Sequence, residues 1–222
     1  MTKTIYSKAV VFLIIIAGFG SLILFLCSPA AARSGGPDSG GYVFYDIAYD
    51  WVEITSSGTN TNTVGDDTYA TIPIGFDFEF YGTVHDTVYA SSNGYLTFGS
   101  DRTEWENSPI PNADPWRPND LIAVFWNDLD MSAFPGGYGE IWYETRGSAP
   151  NRMLVVEYVQ VCSYYDDPED GGGPTTPWSS YTFEVILFEG TNAIRFQYKE
   201  MRNGNAGFYA DGRSATVGIE NP

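Results

Sequence analysis

The sequence predicts an all-β protein: an antiparallel two-sheet β-sandwich, jelly-roll-like, preceded by a cleaved signal peptide. Three observations carry this. Apolar residues alternate with polar or small ones over 72–80, two hairpin signals follow, and 24 glycines and 13 prolines punctuate short strand candidates with no helical periodicity after residue 32. Two sheets packed face to face are the economical way to bury so many short half-apolar strands.

The N-terminus comes first. Lys3 and Lys8 form a positive n-region, an apolar run spans Ala9 to about Leu26, and Ala30-Ala31-Ala32 supplies the small residues of a cleavage site. Cleavage is predicted after Ala32. The run also reaches bilayer-spanning length, so an uncleaved anchor is the alternative. Cys27 is a poor lipid-attachment site because bulky Phe25 and Leu26 precede it. With 1–32 as signal peptide and 33–41 as a flexible leader, residues 42–222 form one domain. No membrane insertion is expected after cleavage, since no second apolar stretch of spanning length occurs.

Charge narrows the partners. The chain has 11 basic and 28 acidic residues; losing Lys3 and Lys8 leaves nine against 28, a formal net charge of −19. Nucleic acid is thereby excluded as a partner class, because eight scattered arginines and Lys199 make no basic patch. Cys162 is the one cysteine after the leader, so an internal disulfide is excluded and stability has to come from the core. A domain of this size buries roughly 70% of its unfolded surface.

Strands are predicted in order at 42–48, 51–55, 72–80, 88–90, 95–98, 121–126, 139–144, 153–161, 183–188, 194–198 and 214–219. Over 72–80, Ile72, Ile74, Phe76, Phe78 and Phe80 share one face. Asn93-Gly94 marks a hairpin between 88–90 and 95–98, and Glu189 to Ala193 a second between 183–188 and 194–198. Residues 101–120 carry Pro109, Pro111, Pro115 and Pro118, which rules out a central strand or regular helix there. Residues 165–178 are a Pro/Gly-rich acidic connection.

Several of these blocks together resemble a known family. Phe76-Asp77-Phe78-Glu79-Phe80-Tyr81-Gly82, Ser91-Ser92-Asn93-Gly94-Tyr95-Leu96-Thr97-Phe98, Pro109-Ile110-Pro111-Asn112, Leu121 through Asp130, and Ser214 through Asn221 occur in that order. The set is similar to the nidogen-like extracellular β-sandwich modules of bacterial and archaeal surface proteins. The order of blocks is more specific than any single one. This resemblance implies a secreted or cell-surface adhesion module with no catalytic residues to carry over. Such modules continue past the Gly-Ile-Glu-Asn strand, whereas this sequence stops at Pro222, which leaves an early end or a missing piece.

Two residue types are candidates for contact. Trp105, Trp116 and Trp178 sit in polar or Pro-rich loops, where an indole face stacks on a sugar or a partner surface, although packing across the sandwich ends is the plainer reading. Trp51, Trp126 and Trp142 fall within strand patterns and belong to the core. Asn127, Asp128 and Asp130 cluster at the end of an apolar strand, and Asp166, Asp167, Glu169 and Asp170 in a Gly-rich loop; both are candidate calcium sites set against the reading of solvated loop acids. Neither is an EF-hand. Counting Asp128 as position one puts Ala133 where glycine is needed and Gly139 where glutamate is needed.

Catalysis has little to build on. His85 is the sole histidine, no G-x-S-x-G elbow occurs, and Cys162 follows an apolar strand as a structural thiol does. A carboxylate pair for glycoside hydrolysis remains the enzyme alternative, without any pair singled out. The sequence thus predicts a non-catalytic module that binds an extracellular protein or glycan. A structural subunit of a surface assembly, able to self-associate, is the alternative.

Overall fold

The computed structural model describes residues 2–4, 33–132, 139–166, 179–202 and 213–221. The predicted signal segment beyond residue 4 therefore lies outside the described residues, as do Asp167, Glu169, Asp170 and Trp178. Strands are β1 Thr2–Thr4, β2 Ser34–Gly35, β3 Val43–Tyr45, β4 Thr59–Asn60, β5 Tyr69–Phe80, β6 Thr83–Ser91 and β7 Tyr95–Thr97. They continue with β8 Leu121–Trp126, β9 Leu129–Asp130, β10 Glu140–Arg146, β11 Met153–Ser163, β12 Ser180–Phe188, β13 Ile194–Arg202 and β14 Thr216–Glu220. One 3₁₀ turn, Tyr164–Asp166, is the helical element among the described residues.

Two sheets result. The larger runs β2-β3-β1-β13-β12-β11-β10-β4, with β9 paired to β11; the smaller runs β14-β8-β7-β6-β5. Pairing is antiparallel except for the two parallel ladders of β1. The sandwich core lies between the sheets. β5 contributes Ile72, Ile74, Phe76, Phe78 and Phe80, while β11 and β12 contribute Leu154, Val156, Tyr158, Phe183 and Val185 from the other side. Each such side chain adds about 1.5–3 kcal/mol by leaving water.

β5 forms an edge, and the edge is blunted. Pro73 offers no amide hydrogen, Gly75 sits at φ +84°, and the register against β6 shifts between Pro73 and Phe78. Side chains from the other sheet take its free groups: Thr145 Oγ1 donates to Ile74 O (2.8 Å), and Asn192 Oδ1 accepts from Glu79 N (3.1 Å). Between β6 and β7, Gly94 N donates to Ser91 O (3.2 Å) with Gly94 at φ +77°. A Cβ there would lie 2.3 Å from Phe125 O, so glycine is required on two counts.

Both sheets are also covered on their outer faces, which is why β8 and most of β12 are buried at every position. Residues 99–120 lie over the smaller sheet. Ile110 packs there against Tyr95, Leu121, Ala123 and Trp126, and Trp126 Nε1 donates to Glu104 O (3.0 Å).

The larger sheet is covered by residues 49–58, and here the sequence expectation is corrected. No strand forms over 51–55. Instead the segment crosses β13, β12 and β11 as a strap, and its backbone bonds to their side chains. Asp50 N donates to Gln197 Oε1 (2.8 Å), Val52 N to Glu184 Oε1 (3.2 Å) and Ile54 N to Glu157 Oε2 (3.4 Å). Glu157, Glu184 and Gln197 are direct cross-strand neighbours, so three acceptors line up beneath every second residue of the strap. Ile54 fills the contact with Val155 and Ile186, and Lys199 pairs with Glu53 (2.7 Å) and lies 5.0 Å from the Trp51 ring centre. Trp126 is core as expected, while Trp51 and Trp142 are only partly buried.

Candidate functional site

One end of the sandwich and the adjoining outer face of the smaller sheet gather most of the described candidates. Asn93, fully buried, is the hub. Its Nδ2 donates to Asp67 Oδ1 (2.7 Å) and Thr103 O (3.0 Å), and its Oδ1 accepts from Leu129 N (2.8 Å). One side chain thereby ties together the connection before β5, the 99–120 loop and the turn after β8. Turn chemistry drew attention to Asn93 in the sequence; its burial was not legible, because it arises from three segments distant along the chain.

Asp128 and Asp130 are 8% and 2% exposed. Burial raises the Asp128 carboxyl to about 7, and the neighbouring charges of Asp66, Asp67 and Asp130 push the same way. Asp130 Oδ1 accepts from Ser132 N (2.6 Å). Asn127 is buried beside them, its Oδ1 accepting from Ser214 Oγ (3.1 Å). Among the described residues, no three His, Cys, Asp or Glu side chains are grouped so as to hold a metal ion. Of the second candidate set, Asp166 alone is described, by its backbone in the 3₁₀ turn.

The 99–120 loop is pinned despite having no regular structure. Arg117 bridges Glu104 (3.4 Å) and Glu106 (2.5 Å), Arg102 donates to Pro115 O (3.5 Å), and Asn107 reaches the backbone of Ser214 and Thr216 Oγ1. On this fixed frame Trp105 is 44% and Trp116 78% exposed. Trp105 lines a cleft of about 330 Å³ with Asp67, Asp101, Arg102, Thr103 and Glu104.

A second hollow of about 470 Å³ lies along β6, lined by Asp77, Val84, His85, Asp86, Thr87, Tyr89 and Gly99. Tyr69 bridges the two: its hydroxyl donates to Asp101 (3.1 Å), and its ring stands edge-on to Tyr89 at 5.9 Å. His85 stacks on Phe98 at 4.5 Å. Burial lowers its pKa, opposed by the charges of Asp120 and Asp86, and its Nε2 and Asp120 Oδ1 are both buried without hydrogen-bond partners.

Catalytic constellations do not assemble from these parts. Cys162 is buried in β11 with Sγ donating to Ser179 O (3.3 Å), whereas His85 lies on the other sheet. Glu184 and Glu157 are raised to about 8 and about 7, chiefly by burial, as a general acid requires. Both, however, are engaged as acceptors for the strap.

Compared with known protein families, residues 41–222 match the family model described as NIDO related. No curated protein and no solved structure matches the chain.

Proposed function

Because this chain belongs to the nidogen-related family, we propose that it works as a secreted or cell-surface, non-catalytic binding module, holding an extracellular protein or glycan against the outer side of its smaller sheet. The observation behind this reading is the pair of exposed indoles on the pinned 99–120 loop. Trp105 and Trp116 are exposed where the other described tryptophans are buried or partly buried, and a held indole face presents a large contact area at little entropic loss. A formal charge of −17 for the whole chain favours neutral or basic partners.

The test is a binding screen of the protein against immobilised extracellular proteins and polysaccharides, repeated with Trp105→Ala and Trp116→Ala. Each substitution should weaken the principal interaction at least about tenfold, as truncation of a central aromatic contact does, while the melting temperature stays put. Binding that survives both substitutions would remove the loop from the contact surface.

A further inference from the structure

Resting on that binding reading, we propose that the outer face of the smaller sheet carries an extended groove for a linear polysaccharide of neutral or amine-bearing sugars, running from Trp105 along β6 to Thr87. The floor comes from strand geometry. Thr87 and Tyr89 are alternate residues of β6 paired with Pro73 and Thr71 and so share its outer face, whereas His85, paired with buried Phe78 after the register shift and stacked on buried Phe98, turns its ring toward the core. Opposite Tyr89 and Thr87 in the ladder are Thr71 and Pro73 of β5, both exposed, so this part of the sheet is open where β7 and β8 are covered. The start of the 99–120 loop flanks the strand, placing Gly99 at the β6 hollow and Trp105 at the adjoining cleft.

The lining mixes rings with hydrogen-bonding groups along its length. Trp105 is followed by Asp101 and Arg102, then by the Tyr69–Tyr89 pair, then by Thr87. A globular protein partner would favour a continuous apolar centre with a polar rim. A sugar chain instead presents, at every residue, C–H faces that stack on rings and hydroxyls that bond carboxylates and guanidinium. Alternation on that scale fits a repeating ligand. Charge selects further: Arg102 is the sole cationic side chain among the lining residues of the two hollows, against five carboxylates, so a polyanionic chain is repelled and an amine-bearing one attracted.

Affinity electrophoresis of the purified protein tests this in gels holding β-1,4-glucan, β-1,3-glucan, mannan, chitosan or polygalacturonate. Retardation is expected with at least one of the first four and not with polygalacturonate. Tyr89→Ala and Trp105→Ala should each abolish most of it, and Tyr45→Ala, an exposed tyrosine on the other sheet, should not. No retardation by the first four polymers, retardation indifferent to Tyr89 and Trp105, or preference for polygalacturonate would overturn the proposal. Should a protein ligand be lost with Trp105→Ala and Trp116→Ala while all polysaccharides fail, the groove inference falls and the binding module remains.

Discussion

Asn93 shows how one side chain organises a site it does not itself expose. Its three hydrogen bonds hold Asp67, Thr103 and Leu129 around one point. Asn93→Ala leaves Leu129 N–H buried and unpaired, so stability should fall by about 2–3 kcal/mol in urea unfolding. An unchanged midpoint would mean that the neighbouring loops close without it.

At the scale of elements, the strap is the most informative piece. Its backbone is satisfied by side chains, two of which, Glu184 and Glu157, are carboxyls whose pKa values burial raises. Glu184 accepts from Val52 N and Gln197 through Oε1, while its Oε2 is buried and unpaired, the natural seat for a proton. Folded values of about 8 for Glu184 and about 7 for Glu157 lie above the ordinary glutamate value, so the folded state holds protons that the unfolded chain releases. Stability from this pair is therefore full below about pH 4.3 and is lost as pH rises through 7 to 8. Asp128, raised to about 7, acts in the same direction. Glu53 and Glu189, drawn down to about 2 by their hydrogen bonds to Lys199 and Arg152, act oppositely and lose their contribution as pH falls toward 2. The melting temperature should therefore peak near about pH 4 to 5, fall as pH rises through 7 to 8, and be several degrees lower at pH 9. Glu184→Gln, which keeps the acceptor and removes the charge, should flatten the alkaline limb; an unaltered limb would assign the loss to other groups.

For the whole molecule, the balance of 11 basic and 28 acidic residues makes self-repulsion a global term. Screening falls within about 8 Å at 0.15 M salt, so raising sodium chloride from 0.01 to 0.15 M at pH 8 should raise the unfolding midpoint. A midpoint that falls would show that ion pairs such as Arg152–Glu189 outweigh the repulsion. The same charge gives the outer groove its sign, linking composition directly to the ligands proposed for it.

The sequence by itself determined what depends on neighbours along the chain. Period two over 72–80 became β5 with its alternate side chains buried, Leu121–Trp126 became β8, and the two Gly-containing turns became hairpins, because side-chain alternation and backbone φ are local properties. The ordered blocks from Phe76 to Asn221 likewise carried the family resemblance, which the match over 41–222 establishes. Tertiary structure decided what depends on partners far away. Trp51, Val52, Ile54 and Thr55 have strand-forming side chains, yet the backbone hydrogen bonds of Asp50, Val52 and Ile54 go to Gln197, Glu184 and Glu157, more than a hundred residues distant. Trp105 and Trp116 were read from loop composition, whereas the groove that Trp105 adjoins needed Tyr69 and Tyr89 from two paired strands. No local pattern could reveal that convergence, since the register of one strand against another is set by the core both of them bury.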